Sequence, residues 1–101
     1  MGTRSELASI LIGIAGEGHV YFQPPSSEKL KYPCIIYRLQ QLESFKADNI
    51  KYKKHRQYMV LLVSKDADDP MIEDINDLPY CSHQNRYVAD NLYHDSFILY
   101  Y

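Results

Sequence analysis

The chain has 101 residues, of which 46% are hydrophobic, and a formal net charge of −2, so it holds enough apolar material for one domain with a modest core. A near-neutral balance argues against a general nucleic-acid binder, whose footprint is a strong basic excess. Two cysteines do not make the disulfide framework of a small secreted scaffold, and Cys34 and Cys81 are expected as unbridged thiols.

At the N-terminus, Thr3 with Glu6 three residues later is a capping box, and it predicts a helix running to about Ala15. Leu7, Leu11 and Ile14 make one apolar stripe, while Ile10 and Ile12 point elsewhere, which predicts contacts on two sides of the helix. The run from Leu7 to Gly16 has the length of a signal-peptide core, but Glu6 and Glu17 bracket it. It is too short to span a bilayer, and Glu6 occupies the position where a myristoylation motif needs Ser or Thr. Gly16-Glu17-Gly18 ends the helix, His19-Val20-Tyr21-Phe22 reads as a short strand, and residues 23–32 follow as a loop.

The stretch from Tyr32 to Lys65 predicts a long β-hairpin. Pro33 opens its first strand, and two β-branched and aromatic runs, Cys34 to Leu39 and Tyr58 to Val63, flank a polar middle that turns at Asp48-Asn49. A two-residue turn there sets Ile35 opposite Leu62, Tyr37 opposite Val60, Leu39 opposite Tyr58 and Glu43 opposite Lys54. It also sets Lys46 opposite Lys51, so a turn of three or four residues is an alternative. The arms from about Gln40 to Gln57 are too polar to be buried in this domain, whereas the continuous apolar run Tyr58 to Val63 predicts a strand covered on both faces, with helices on one side.

Asp69 as N-cap and Pro70 at the first helical position predict a second helix, with Met71, Ile75 and Leu78 as its apolar stripe and Pro79 as its stop. Ala89-Asp90-Asn91 repeats Ala47-Asp48-Asn49 and predicts a second hairpin pairing roughly His83 to Val88 with Leu92 to Tyr100. Together these elements predict an α+β fold: a single small domain, residues 1–101, with a mostly antiparallel sheet, a long protruding β-hairpin and two helices packed on one face.

Chemistry is sparse. Asp66-Ala67-Asp68-Asp69 fails as a calcium loop because Met71 stands where the turn glycine belongs. Cys81, His83 and His94 do not converge, since the second hairpin puts His94 across from Tyr87. No signature surrounds either cysteine as a nucleophile, and the only glycine cluster, Gly13, Gly16 and Gly18, follows a helix where a phosphate loop would open one. No catalytic residue, metal or cofactor is expected.

What stands out is charge. Lys46, Lys51, Lys53, Lys54 and Arg56 are five of eleven basic residues, and Asp66, Asp68, Asp69, Glu73, Asp74 and Asp77 are six of thirteen acids. Opposite charges at two distinct places suit head-to-tail contact between copies, so these eleven residues are the candidate subunit interface. Ten tyrosines without a tryptophan fit either an interface or a sheet surface.

The order of the segments Tyr21-Phe22-Gln23-Pro24-Pro25, Lys31-Tyr32-Pro33-Cys34-Ile35-Ile36-Tyr37, Ala47-Asp48-Asn49, Tyr52-Lys53, Leu78-Pro79-Tyr80-Cys81-Ser82, Tyr87-Val88-Ala89-Asp90-Asn91-Leu92-Tyr93-His94 and Phe97-Ile98-Leu99-Tyr100-Tyr101 resembles that of tail terminator proteins of siphophages and related prophages. The resemblance spans nearly the whole chain. It implies a small α/β sandwich that forms a hexameric ring on the finished tail tube, stops tube polymerisation and offers a surface for head-tail joining. The implied partners are other copies of the chain, the tail tube protein and head-connector or neck proteins. DNA would pass through the ring without sequence-specific binding, with no membrane involved. The implied location is the virion neck, and the host cytoplasm during assembly. Two alternatives stand beside it: another ring-forming head-completion or connector (minor capsid) protein, and a small nucleic-acid-binding module using the basic hairpin with Tyr52 and Tyr58.

Overall fold

The computed structural model describes the backbone of residues 3–24, 29–47 and 50–101, and the side chains of the same residues except 41–55. The first helix, α1 (Arg4–Ala15), starts at the expected box: the Thr3 hydroxyl accepts the Glu6 N–H at 3.2 Å, and the Glu6 carboxylate accepts the Thr3 N–H at 3.2 Å. It ends at Gly16, whose φ of 97° favours glycine and whose N–H reaches the Ile12 carbonyl at 2.8 Å. Leu7 and Leu11 are fully buried, while Ile10 and Ile12 are 37% and 38% exposed. The second side of α1 thus meets nothing that buries it within the described chain.

Four long strands follow one short one: β1 (Val20–Phe22), β2 (Cys34–Ala47), β3 (Ile50–Ser64), β4 (Cys81–Ala89) and β5 (Leu92–Tyr100). They form one sheet in the order β1-β2-β3-β5-β4. Every neighbouring pair is antiparallel except β1 with β2, which is parallel. The first long strand begins at Cys34, just after a cis Tyr32–Pro33 bond. The predicted register holds at Ile35–Leu62, Tyr37–Val60 and Leu39–Tyr58. It then slips: an irregularity between Leu39 and Gln41 puts Glu43 opposite His55 and Ser44 opposite Lys54, so the expected Glu43–Lys54 pairing is not made. A second shift restores Lys46 opposite Lys51 and Ala47 opposite Ile50. Extra residues of this kind bend a strand and raise its twist. The turn residues 48 and 49 lie outside the described set.

The second hairpin starts two residues earlier than expected, at Cys81, and turns at Asp90-Asn91. Both turn residues have positive φ, 53° and 61°, the conformation of a primed two-residue turn that asparagine and aspartate tolerate. Its second strand, not its first, lies against β3. The second helix, α2 (Met71–Asn76), is shorter than its apolar stripe implied. Ile75 is buried, and Met71 and Leu78 pack at the core margin, Leu78 from the turn beyond the helix.

Strand alternation sorts the apolar residues into two faces. Ile35, Tyr37, Tyr58, Val60, Leu62, Phe97 and Leu99 meet Leu7, Leu11 and Ile75 under the helices in one cluster. Phe22, Tyr37 and Tyr58 run through it as an aromatic ladder, with ring centroids 4.9 and 6.1 Å apart. On the other face, Cys34, Val63 and Leu92 form a small patch, with Tyr21, Leu30, Ile36 and Leu61 against it. Met59, Leu61 and Ile98 are only half-buried there. Of the run Tyr58 to Val63, the residues Tyr58, Val60 and Leu62 are buried on the helix side, while on the other face Val63 is buried and Met59 and Leu61 are not, so the expected burial on both faces holds only at the Val63 end. The molecule measures 49 × 23 × 23 Å, its long axis reflecting strands of 14 and 15 residues.

Candidate functional site

Of the basic arm, Lys46, Lys51, Lys53 and Lys54 have side chains outside the described set; in the backbone, Lys46 pairs with Lys51 and Lys54 with Ser44, and Lys53 lies between in β3. Arg56 sits at the base of the arm. Its N–H and C=O bond the Tyr101 carbonyl and N–H at 3.1 and 3.0 Å. Its side chain lines a groove with Arg4, Phe22, Leu39 and Tyr58. Arg4, which no sequence pattern singled out, lies 4.3 Å over the Phe22 ring, a cation–π placement that brings a second guanidinium to this end of the sheet.

The acidic stretch divides in two. Asp66, Asp68, Glu73, Asp74 and Asp77 are exposed. Glu73 and Asp74 stand in the first turn of α2, where the helix dipole favours negative charge. Asp69 is only 8% exposed. Its carboxylate accepts the buried Ser64 hydroxyl at 2.7 Å and the Met71 N–H at 2.9 Å. The helix begins at Met71 with Pro70 at its N-cap position, one residue later than expected, so Asp69 is not the N-cap residue itself but holds the Met71 N–H from just ahead of it; that bonding withdraws it from the candidate interface surface. Asp66 organises the loop before it by accepting the Asp68 N–H at 2.9 Å.

A third cluster was not anticipated. Asp95 is 3% exposed on the helix side of β5, and Arg86 grips it from β4 through Nε to Oδ1 at 2.9 Å and Nη2 to Oδ2 at 3.1 Å. His83 Nε2 lies 2.9 Å from Oδ1. Burial pushes the Asp95 carboxyl up, but the hydrogen bonds from Arg86 and His83 outweigh it and hold it below the ordinary carboxylate value. The same pairing raises the Arg86 guanidinium. Arg86 Nη2 also donates to the Ala67 carbonyl at 2.7 Å, tying β4 to the acidic loop. The signal was in the hairpin: the turn that sets Tyr87 against His94 also sets Arg86 against Asp95, one pair along.

Neither cysteine is activated as a nucleophile. Burial raises the thiols of Cys34 and Cys81 to about 11, so both stay protonated at neutral pH, whereas the thiolate is the nucleophile. They are free cysteines, Cys34 buried and Cys81 half-buried. His94 stacks on Tyr87 with centroids 4.6 Å apart, and His19 Nδ1 meets the Pro33 carbonyl at 2.8 Å. Among the described residues no three His, Cys, Asp or Glu side chains cluster as metal ligands, and no helix is long and apolar enough to cross a membrane.

What the fold does expose is a sheet edge and apolar side chains. Residues 82–88 of β4 are all exposed. Tyr80, Val88 and Tyr87, at 70%, 62% and 45%, are the most exposed large hydrophobic residues among those described. The half-covered sheet face adds a shallow depression lined by Ile36, Arg38, Met59, Leu61 and Tyr87. No family model and no curated protein matches the chain, so a functional reading stands on these surfaces and on the motifs of the sequence.

Proposed function

We infer that the chain is a non-enzymatic assembly subunit of the siphophage tail-terminator type. It would form a ring, hexameric in the form the resemblance implies, at the head-proximal end of the tail tube, stop tube growth and present the joining surface for the head. Its partners would be other copies of itself, the tube protein and neck proteins, and its place the virion neck after assembly in the host cytoplasm. The observation that carries this reading is the protruding two-stranded arm. β2 and β3 pair as far as Ala47 and Ile50, well beyond the last β1 partner at Tyr37 and the last β5 partner at Gln57. A two-stranded ribbon is marginal on its own in water, so an arm of this length is best explained by a neighbour that it lies against. Uncovered apolar surface on α1, β4 and the open sheet face supports the same reading.

The test is sedimentation velocity and negative-stain microscopy of the purified chain over a wide concentration range. The expected outcome is a monomer that gives way to a closed ring as concentration rises. A chain that stays monomeric throughout and does not bind tail tubes removes the proposal. A ring that caps purified portals in place of tail tubes shifts the reading to another neck protein.

A further inference from the structure

β4 closes one border of the sheet and has no strand on its outer side among the described residues. Natural edges are guarded by shortness, lysine, proline or a bulge. β4 is nine residues long and contains neither lysine nor proline. Its arginine is turned onto Asp95 and the Ala67 carbonyl, and its one evident guard is the irregularity between His83 and Asn85. At the other border, β1 covers β2 only from Ile35 to Tyr37, and the Gln23 side chain takes the Leu39 N–H at 3.2 Å. From Gln40 to Ala47 no strand among the described residues lies along that edge.

We propose that β4 of one copy pairs, backbone to backbone, with the free Gln40–Ala47 edge of β2 in the next copy. This rests on the reading of the chain as a ring subunit and names the contact that builds the ring. Three observations select a second copy as the occupant. Since β2, β3, β5 and β4 alternate in direction, β4 meets the β2 of a like-oriented copy as an antiparallel partner, and the ladder continues without a break. Pairing β4 with β4 across a twofold axis leaves both β2 edges bare, whereas β4 with β2 occupies both edges in every copy. Contact between two different borders is also the head-to-tail kind that closes into rings.

The third observation is charge. The 2.7 Å bond from Arg86 to the Ala67 carbonyl holds the loop that carries Asp66 and Asp68 against β4. An arm laid along β4 brings the segment rich in lysine, with Lys46, Lys51, Lys53 and Lys54, beside those carboxylates. Backbone bonds then hold the contact, and the charges set its register.

The decisive measurement is hydrogen–deuterium exchange on the full chain, compared between dilute monomer and concentrated oligomer. The variant Gln84→Lys with Val88→Lys, both exposed positions, runs in parallel. Slower exchange on assembly in residues 81–89 and 40–47 together, with at least a tenfold loss of association in the variant at an unchanged monomer melting temperature, bears the proposal out. A ring whose amides in those two segments exchange as in the monomer overturns the edge pairing and leaves the ring reading standing. A wild-type chain that never assembles removes both. If the variant fails to fold, the wild-type exchange pattern decides alone.

Discussion

The two faces of the sheet are made from the same strands by alternate residues, yet only one is covered along its length; on the other, Cys34 and Val63 are buried while Met59 and Leu61 are not. Under the helices, Leu62 is fully buried with Val60, Tyr58 and Phe97. One residue along, Leu61 looks the other way and is half-buried beside Ile36 and Val63. An apolar run in a strand therefore reports that both faces avoid water, not that the same chain covers both. The face without a helix is where a second chain has something to gain.

The largest test of that contrast is Leu62→Ala. It should cost about 2–5 kcal/mol by chemical denaturation, because the cavity it opens lies in the closed face. Next comes Arg86→Ala, which strips a two-point hydrogen bond from the buried Asp95 carboxylate while His83 remains. With the guanidinium itself about a third exposed, the expected cost is about 1–2 kcal/mol. The accompanying pH dependence has a definite sign. Asp95 has its folded-state pKa below the ordinary 3.8, so its contribution is fully present above that value and is lost as pH falls through the depressed one. Asp95→Asn should flatten the acid limb of a stability-against-pH curve, and an unchanged limb would show that the carboxylate is not held as described. Smallest is Leu61→Ala on the open face, expected near 1 kcal/mol in the monomer. If it instead matches Leu62→Ala, the open face is closed by something within the chain and the contrast fails.

The candidate interface divides along the same line between near and far. The aspartates before α2 announced a cap, and Asp69 holds the Met71 N–H although Pro70 takes the N-cap position; what the capping pattern did not carry is that this carboxylate, hydrogen-bonded to Ser64 as well, leaves the surface. Arg86 and Asp95 were readable from the same register arithmetic that placed Tyr87 opposite His94. Nothing in the pattern marks the pair as buried, because a charged residue in an alternating strand reads by default as solvent-facing. Arg4 over Phe22 had no sequence signal, since it joins a helix start to a strand through the packing of α1.

The sequence by itself determined the local devices of this protein: the Thr3–Glu6 box, the Gly16 stop, the pairing of Ile35 with Leu62 and Tyr37 with Val60, and the Asp90-Asn91 turn. Each depends on residues linked through one turn or one hairpin, where spacing and backbone preference decide the outcome. Only the tertiary structure decided that β1 lies parallel beside β2, that β5 and not β4 pairs with β3, that the register slips past Leu39, and which face α1 and α2 would cover. Those choices join segments distant in the chain, and they are settled by which arrangement buries the most apolar surface without leaving backbone groups unpaired.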